Sequence, residues 1–252
     1  MSRPIAIGID VGSTTTKGVL LGDDGTLLEC VLEPTAPRID EQSRNVVARL
    51  KQKGGELPVG ATGYGRKRVP TARAVTEITC HAKGAFFRLK RQGLLVDIGG
   101  QDTKVIHLGA QGDVQDFSMN DKCAAGTGRF LEVILGRLNV PLTEVSAYAD
   151  RAPRVVSISS TCTVFAESEV VSLIAEGEPV EGIVKGLHAS LASRVRAQAG
   201  TLSPSAEIFM SGGVALNQAM VAALAQAMGR AITVLPEPQL IGALGAALAV
   251  AG

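Results

Sequence analysis

The chain reads DVGSTTTK at residues 10–17 and repeats the same frame as DIGGQDTK at residues 97–104. In both copies an aspartate comes first, a glycine third and a lysine eighth. A short apolar run precedes each copy, and this pattern predicts a buried strand that ends at the aspartate. A second apolar run follows each copy and leads to Asp24-Gly25 or Gln111-Gly112, which is typical of a hairpin turn. The sequence therefore predicts one β-hairpin that is built twice.

The turns of the two hairpins have the composition of phosphate-binding loops. Glycine lets the main chain come close to a ligand, so that successive backbone N–H groups can surround phosphate oxygens. Hydroxyl side chains in the first copy add further donors. Two ordinary glycine-rich hairpins would explain either copy alone, but the gapless repetition argues against that alternative. The predicted phosphate-binding residues are Gly12, Ser13, Thr14, Thr15, Thr16, Lys17, Gly99 and Gly100.

Two aspartates and one glutamine are the predicted catalytic residues. Asp10 and Asp97 end equivalent strands, so we expect the two carboxylates to face each other across a cleft. Carboxylate oxygens suit a hydrated Mg²⁺ ion, which prefers oxygen ligands and usually keeps several waters. Gln101 lies beside the second loop and could orient an attacking water molecule. The two hairpins thus predict a site for nucleotide phosphates and Mg²⁺.

A third glycine turn, Ser211-Gly212-Gly213, follows the apolar run at residues 207–210 and opens a predicted helix. A helix N-terminus at such a turn suits the nucleoside end of the ligand. Three turns in this order resemble those of the actin, hexokinase and Hsp70 superfamily of ATPases. The resemblance implies an α/β fold of two duplicated, ribonuclease-H-like domains with ATP in the cleft between them. We expect domains at residues 1–90 and 91–252, with the C-terminal helix packing back on the first.

Composition limits the other classes of function. The 252 residues are 46% hydrophobic, which is enough apolar material for a core in each of two domains. A net charge of +1 argues against a strongly nucleic-acid-binding surface. No apolar run approaches the ~20 residues that span a bilayer, and residues 1–4 lead straight into the first predicted strand. We therefore expect a cytoplasmic protein that binds neither nucleic acid nor membrane.

Apolar periodicity predicts the remaining elements. In the first domain, the predicted strands lie near residues 5–10, 17–22, 26–34 and 57–62, and a helix lies near 40–53. The second domain begins with the repeated hairpin. Its helices are predicted near residues 124–138, 163–176, 180–199, 214–228 and 239–251.

Four cysteines occur in the chain, and two of them stand where a predicted helix begins. In a cytoplasmic protein we expect ligation or burial of a cysteine rather than a structural disulfide. Cys30 and Cys80 are interpreted as small buried side chains. Cys123 and Cys162 each precede a helix with apolar periodicity, and a helix N-terminus lowers the pKa of a thiol and stabilises a bound anionic group. The last two cysteines are therefore the predicted metal ligands.

Two thiolates are half of the ligand set of an iron–sulfur cluster or a structural zinc ion. A symmetric dimer would complete a four-cysteine site on its two-fold axis. Cysteine spacing does not choose between iron and zinc, because zinc also accepts four thiolates.

Several segments carry a close family resemblance: residues 8–14, 61–66, 96–102, 120–132, 159–169 and 242–247. They resemble those of the activators of 2-hydroxyacyl-CoA dehydratases and of the ATPase modules of benzoyl-CoA reductases. The resemblance covers nearly the whole chain, and its two cysteine segments are highly specific. It implies an anaerobic system in which a homodimer holds one [4Fe–4S] cluster between its subunits and binds ATP in each.

The resemblance also implies partners and residue roles. The electron donor would be a ferredoxin or flavodoxin, and the acceptor an iron–sulfur dehydratase or reductase component. Cys123 and Cys162 would be the cluster ligands. The nucleotide would lie among residues 12–16, Gly100, Gln101, Gly126, Gly128, Gly212, Gly213, Asn217 and Gln239.

These features lead to a mechanistic hypothesis with two rivals. We expect closure of the two domains on ATP to rotate the helices that begin at Cys123 and Cys162, which would reorient the shared cluster toward a partner. One rival is a phosphotransferase of the same superfamily that acts on a small metabolite. The other is an ATP-dependent dimeric binding module held together by zinc, without a redox role.

Overall fold

The structure is a computed structural model, and it describes residues 2–200 and 206–251. These residues form two compact units. The first unit, as used below, comprises residues 2–92, 106–116 and 235–251, and the second unit comprises residues 93–105, 117–200 and 206–234. None of the helices in the described part of the chain is long and apolar enough to cross a membrane.

The described residues form strands in two groups, which lie in separate sheets. The strands are β1 (Pro4–Val11), β2 (Thr15–Gly22), β3 (Leu27–Pro34), β4 (Val59–Thr62), β5 (Arg73–Ala74), β6 (Gly93–Ile98), β7 (Thr103–Leu108), β8 (Val114–Asn120), β9 (Ile208–Ser211) and β10 (Ile232–Val234). The α-helices are α1 (Ile39–Gly54), α2 (Glu77–Leu89), α3 (Gly128–Arg137), α4 (Val145–Asp150), α5 (Thr163–Ala175), α6 (Val180–Gln198), α7 (Gln218–Met228) and α8 (Ile241–Leu248).

The two sheets have the same strand order. One sheet runs β3-β2-β1-β4-β5, and the other runs β8-β7-β6-β9-β10. In the first sheet β1 pairs with β2 in antiparallel fashion and with β4 in parallel fashion. In the second sheet β6 pairs with β9, and β9 with β10, in parallel fashion. A strand order that occurs twice is the architecture expected from a duplicated hairpin at the start of each sheet.

Backbone hydrogen bonds repeat between the two hairpins as well. Gly12 N donates to Thr15 O at 3.1 Å, and Gly99 N donates to Asp102 O at 2.9 Å. Equivalent bonds close the next turn of each copy, from Gly22 N to Thr26 O at 2.9 Å and from Gly109 N to Asp113 O at 2.8 Å. The predicted duplication of the hairpin is therefore confirmed.

Each sheet has an apolar core of its own. In the first unit, Val46, Val47 and Leu50 of α1 are buried against Ile7 and Ile9 of β1. In the second unit the core centres on α3 and α6, whose Phe130, Leu187 and Leu191 are fully buried with β6 and β9. Burial of this apolar surface supplies the main favourable free energy of folding in each unit.

Helix α8 packs closely against backbone in the first unit. A Cβ atom on Gly8 of β1 would lie 1.9 Å from Ala243 O, and a Cβ on Gly245 of α8 would lie 1.8 Å from Cys80 O of α2. Real Cβ atoms do not approach so closely, and the atoms in the way are backbone atoms, which cannot rotate aside. The glycines therefore set how near α8 lies to β1 and α2.

We expect Gly245→Ala to lower the free energy of unfolding by about 3 kcal/mol or more, because the added methyl group must displace the main chain of α2. Gly136→Ala in α3 is the matched control, since nothing lies within 4 Å of its added Cβ. Alanine is favoured over glycine within helices, so the control should keep or raise stability by up to ~1 kcal/mol. Urea unfolding curves of both variants measure the difference, and equal midpoints would contradict the close packing.

Several predicted helices begin later than expected. The predicted helix at 124–138 is a 3₁₀ turn at Ala124–Gly126 followed by α3, because Thr127 between them is extended. The helix predicted at 214–228 is divided in the same way by extended Asn217, after a 3₁₀ turn at Gly213–Leu216. Helix α8 covers less than the predicted 239–251. Helix α2 and the short elements α4, β5 and β10 were not among the predicted ranges, and the short elements hold too few residues for a periodic pattern.

Candidate functional site

Asp10 lies near the end of β1, where it is buried and held by neighbours within the first unit. Its partner in the β1–β2 ladder is Lys17, whose Nζ lies 3.4 Å from Asp10 Oδ2. Two backbone segments approach the carboxylate closely, since Cβ atoms built on Gly63 and Gly242 would lie 2.5 and 2.9 Å from its oxygens. The carboxylate is therefore fixed in position and paired with a cation.

The first phosphate-binding candidate is the loop between β1 and β2. Ser13 and Thr14 are exposed at its tip, as expected for residues that meet a ligand. Thr16 is instead buried, with its hydroxyl 3.0 Å from the Thr35 hydroxyl and 3.2 Å from Gln42 Oε1. The side chain of Thr16 thus anchors the loop to the fold, while the loop tip stays open.

Asp97 has an equivalent setting at the end of β6 in the second unit. Lys104 Nζ lies 3.4 Å from Asp97 Oδ2 and 2.6 Å from Asp102 Oδ2. The Ser211 hydroxyl donates to Asp97 Oδ1 at 2.7 Å. Asp97, Lys104 and Ser211 are all buried. The same aspartate–lysine pair, seven residues apart in sequence and 3.4 Å apart in space, therefore occurs in both hairpins.

The second glycine loop is bonded directly to the segment that contains Cys123. Gly128 N donates to Gly99 O at 2.9 Å, and Arg129 N donates to Gly100 O at 2.8 Å. The Thr103 hydroxyl donates to Gly126 O at 2.6 Å. The Gly99–Gly100 loop and the start of α3 are therefore joined by direct hydrogen bonds.

The third glycine turn lies against the end of β6. Gly212 has φ +87°, which favours glycine, and a Cβ there would lie 2.3 Å from Ile98 O. Asn217 caps α7 by accepting a hydrogen bond from Met220 N, and its amide donates to His188 Nε2 at 2.9 Å. His188 is buried and donates through Nδ1 to Val184 O. Burial lowers the pKa of His188, which disfavours the charged form of this imidazole.

The predicted site residues divide between the two units. Asp97, Gly99, Gly100, Gln101, Gly126, Gly128, Gly212, Gly213 and Asn217 lie in the second unit, together with Cys123 and Cys162. The second unit gathers the loops that follow β6 and β9 with the start of α3, and Gln101 is exposed there. Residues 10–17 lie in the first unit, and so does Gln239, in the loop before α8.

Cys123 is exposed and precedes the 3₁₀ turn at Ala124–Gly126. Asn120 holds this segment through two hydrogen bonds, because its amide donates to Cys123 O at 2.8 Å and its Oδ1 accepts from Cys123 N at 3.2 Å. The prediction that Cys123 begins an α-helix is wrong, since α3 starts five residues later, at Gly128. The dipole of a full helix therefore does not act on this thiol.

Cys162 is exposed and is the N-cap residue of the 13-residue helix α5, as predicted. Glu169, two turns into α5, reaches back to the loop before the cysteine. Its carboxylate accepts hydrogen bonds from Ser159 N and Ser159 Oγ, both at 2.8 Å, and from Ser160 N at 2.7 Å. The backbone that leads to Cys162 is thus fixed by an acid from the same helix, which the sequence pattern did not indicate.

The pKa of Glu169 is lowered to about 2: burial opposes ionisation, and the hydrogen bonds from Ser160 and Ser159 outweigh it. A depressed pKa in the folded state gives stability that is present above the ordinary value near 4.5 and is lost as the pH falls toward 2. We expect Glu169→Gln to lower the Tm of the metal-free protein by about 2–4 °C at pH 7. The difference from wild type should shrink as the pH falls from 4.5 to 2.

Thermal melts across this pH range check the prediction. Glu176→Gln is the control, because Glu176 is exposed after the end of α5. If the difference in Tm between wild type and Glu169→Gln stays constant down to pH 2.5, the carboxylate does not stabilise the fold through its charge.

The other two cysteines lie in the first unit. Cys80 is fully buried in α2, as interpreted from the sequence, and burial raises the pKa of its thiol to about 11. Cys30 is exposed on β3, so the interpretation of it as a buried side chain is wrong. Burial of part of its surface and the charge of Glu237 raise the pKa of the Cys30 thiol. Both are poorer thiolate donors than an ordinary cysteine.

Cys123 and Cys162 fit a group that binds thiolates. Both thiols are free and exposed on segments fixed by hydrogen bonds, and thiolates are the usual ligands of iron–sulfur clusters. Among residues 2–200 and 206–251, no group of three or more His, Cys, Asp or Glu side chains could hold a metal ion. The described part of one chain therefore offers two exposed thiols from adjacent segments and no complete metal site.

Comparison with known proteins places the chain in a family. It is 43% identical to the activator of lactoyl-CoA dehydratase of Anaerotignum propionicum, over 96% of this chain and 95% of that protein. A solved activator of 2-hydroxyisocaproyl-CoA dehydratase from Clostridium difficile, with bound ADPNP, is 40% identical over 100% of this chain and 94% of that one, with a TM-score of 0.88.

A ROK-family glucokinase from Streptomyces griseus shares the fold alone, with 14% identity over 97% of this chain and 98% of that one and a TM-score of 0.62. The predicted α/β fold of the actin and hexokinase type is thus confirmed. The model of the BadF/BadG/BcrA/BcrD ATPase family matches residues 7–250. This match, together with the duplicated hairpins and the two exposed cysteines, shows that the chain belongs to the BadF/BadG/BcrA/BcrD ATPase family.

Proposed function

We propose that the protein is an ATP-dependent activator, which hydrolyses ATP to drive single electrons at low potential into an iron–sulfur dehydratase or reductase component. The observation that carries this proposal is the pair of hydrogen bonds from Gly128 N and Arg129 N to Gly99 O and Gly100 O. Through these bonds a phosphate-binding candidate loop and a candidate cluster ligand, Cys123, belong to one continuous piece of structure. The names of the relatives support a dehydratase as the partner.

The nucleotide chemistry belongs to the two hairpins. Asp10 and Asp97 are fixed by lysines and would orient the water ligands of a Mg²⁺ ion bound with ATP. The exposed loop tip at Ser13–Thr14 and the amides of Gly99 and Gly100 would surround the phosphates. Gln101 is exposed beside that loop and would orient the attacking water.

The redox chemistry belongs to the two exposed cysteines. When bound, a [4Fe–4S] cluster would supply one-electron transfer at low potential, with a ferredoxin or flavodoxin as the donor. Cys123 and Cys162 would supply two of its four thiolate ligands. The loops of both cysteines are held by hydrogen bonds from Asn120 and to Glu169, so their backbones are fixed before any cluster binds.

A second copy of the chain would supply the other two thiolates. Helix α5, which begins at Cys162, exposes large apolar side chains along its length: Val164, Phe165, Val171 and Ile174. Val164 and Phe165 are each 68% exposed and stand two and three residues after the candidate ligand Cys162. Apolar side chains at this density beside an incomplete ligand set support a homodimer that buries α5 around the cluster.

Hydrolysis would act as a gate on the electron. The usual coupling free energy between two sites is ~1–3 kcal/mol, which for one electron corresponds to roughly 40–130 mV. Binding of ATP alone therefore gives a limited change in potential. Return of the electron from a more reducing acceptor is prevented if hydrolysis resets the dimer after each transfer.

Electron transfer to a dehydratase component, assayed anaerobically with a reduced ferredoxin, tests the proposal. We expect ATP to be consumed in a fixed ratio to the electrons delivered, and slow ATP turnover without the acceptor. A non-hydrolysable ATP analogue should support no more than one round of transfer. Full-rate transfer over many rounds with the analogue would refute the gate. An ADP burst that depends on a small metabolite would instead indicate a phosphotransferase.

A further inference from the structure

Arg194 of α6 lies between the two candidate ligand segments of the second unit. Its Nη1 donates to Ala125 O, two residues after Cys123, and its Nη2 donates to Ser160 O, two residues before Cys162, at 2.8 Å. The guanidinium carbon stands 4.6 Å from the centre of the Phe130 ring, and Phe130 is fully buried in α3. One side chain therefore contacts both cysteine segments and the helix that follows the first of them.

The geometry of these contacts requires a guanidinium. Its donors lie in a rigid planar fork, so the two nitrogens can reach carbonyls on two separate segments at once. The aromatic ring below the plane limits its rotation. A lysine ammonium at the same position is a single point donor and would reach one carbonyl or the other.

The charge of Arg194 also lies close to the two cysteine segments, whose carbonyl oxygens its guanidinium bonds. Among residues 2–200 and 206–251, Arg194 takes part in none of the ion pairs, although its side chain is half-buried. Burial lowers the pKa of Arg194, and the nearby Cys123 thiol acts in the opposite direction. A half-buried cation without a carboxylate partner in the described chain is suited to an anion bound by the adjacent cysteines.

Resting on the proposed function and extending it, we propose that Arg194 is a positioning residue: it holds the Cys123 and Cys162 segments in one fixed arrangement and sets a positive charge beside the anionic cluster. A cluster carries negative charge, and its potential depends on nearby charges and hydrogen bonds. A fixed cation favours the more negative, reduced form of the cluster and therefore raises its midpoint potential.

Helix α6 also connects this residue to the second hairpin. Gln198, one turn after Arg194, donates through Nε2 to Thr103 O and to Ser118 O, both at 3.1 Å. Thr103 follows directly on the glycine loop that contains Gln101. The same helix therefore contacts β7, directly after the candidate phosphate loop, through Gln198, and both cysteine segments through Arg194.

Hydrogen exchange on the full-length protein tests the positioning role, with or without a cluster. In Arg194→Met we expect backbone amides in both residues 120–127 and 157–162 to exchange about tenfold faster than in wild type. In Arg194→Lys the backbone amides of at least one of the two segments should also exchange faster than in wild type. Arg196→Met is the matched control, since in the part of the chain that the structure describes Arg196 bonds to Gly200 O at the exposed end of α6 and to neither cysteine segment. Unchanged exchange in both segments of Arg194→Met overturns the positioning role.

A redox titration followed by electron paramagnetic resonance tests the charge. The midpoint potential of Arg194→Met should fall by at least ~59 mV, a tenfold change in the one-electron equilibrium. Arg194→Lys keeps the charge and should stay near the wild-type value, and so should Arg196→Met. An unchanged potential in Arg194→Met overturns the electrostatic role. If wild-type protein holds no iron, the proposed function and the electrostatic role fail together, while hydrogen exchange still decides the positioning role.

Discussion

Cys162→Ser is expected to remove nearly all bound iron and the visible absorbance of the anaerobically purified protein. Cys162 is the N-cap of α5, and no other thiol in the described part of that segment could replace it. Cys123→Ser should have the same effect, because a cluster that lacks one thiolate from each subunit keeps at most two of its four ligands. Both variants should still fold, since both side chains are exposed and neither belongs to the core.

Cys30→Ser is the matched control for this experiment. Cys30 is also exposed, but it lies on β3 in the first unit, and its thiol pKa is raised by partial burial and by Glu237. Its iron content and absorbance should equal those of wild type. Retention of the brown colour in either Cys123→Ser or Cys162→Ser would exclude that residue as a ligand.

Asp97→Asn is expected to lower kcat for ATP hydrolysis by about two orders of magnitude, or ~3 kcal/mol, because it weakens the binding of Mg²⁺ and its waters at the phosphates. Asp10→Asn should have an effect of similar size. The Asp97 variant should fold, since Lys104 keeps its 2.6 Å contact with Asp102 and the Ser211 hydroxyl still finds an oxygen acceptor.

Steady-state ADP release at saturating Mg²⁺ and ATP measures this effect. Asp113→Asn, an exposed aspartate at the turn after β7, is the control and should keep full activity. If Asp97→Asn hydrolyses ATP at the wild-type rate, the carboxylate is a structural partner of Lys104 and the assignment of the catalytic site to the hairpins is wrong.

The duplicated hairpin could be predicted from the sequence because its signal is local. An aspartate, a glycine and a lysine recur at fixed positions, and the structure forms the same ion pair and the same turn bonds from them. The position of Cys162 at the start of α5 could be predicted for the same reason, since apolar periodicity begins directly after it.

The side-chain contacts that hold the site residues in place could not be predicted, because they come from distant parts of the chain. Arg194 meets Ala125 and Ser160 across 69 and 34 residues of sequence, and no pattern in α6 indicates those contacts. Ser211 reaches Asp97 only because β9 pairs with β6. The late start of α3 depends on the extended backbone at Thr127. The first two N–H groups of α3, those of Gly128 and Arg129, donate to Gly99 O and Gly100 O and not to carbonyls of an earlier helical turn.

Native mass spectrometry of the anaerobically purified protein tests the central claim most directly, which is that two chains share one cluster. We predict a single species with the mass of two chains plus four iron atoms and four sulfides, and its complete loss in Cys162→Ser. A dimer that carries zinc in place of iron, or a metal-free single chain, would contradict the claim that this ATPase delivers electrons.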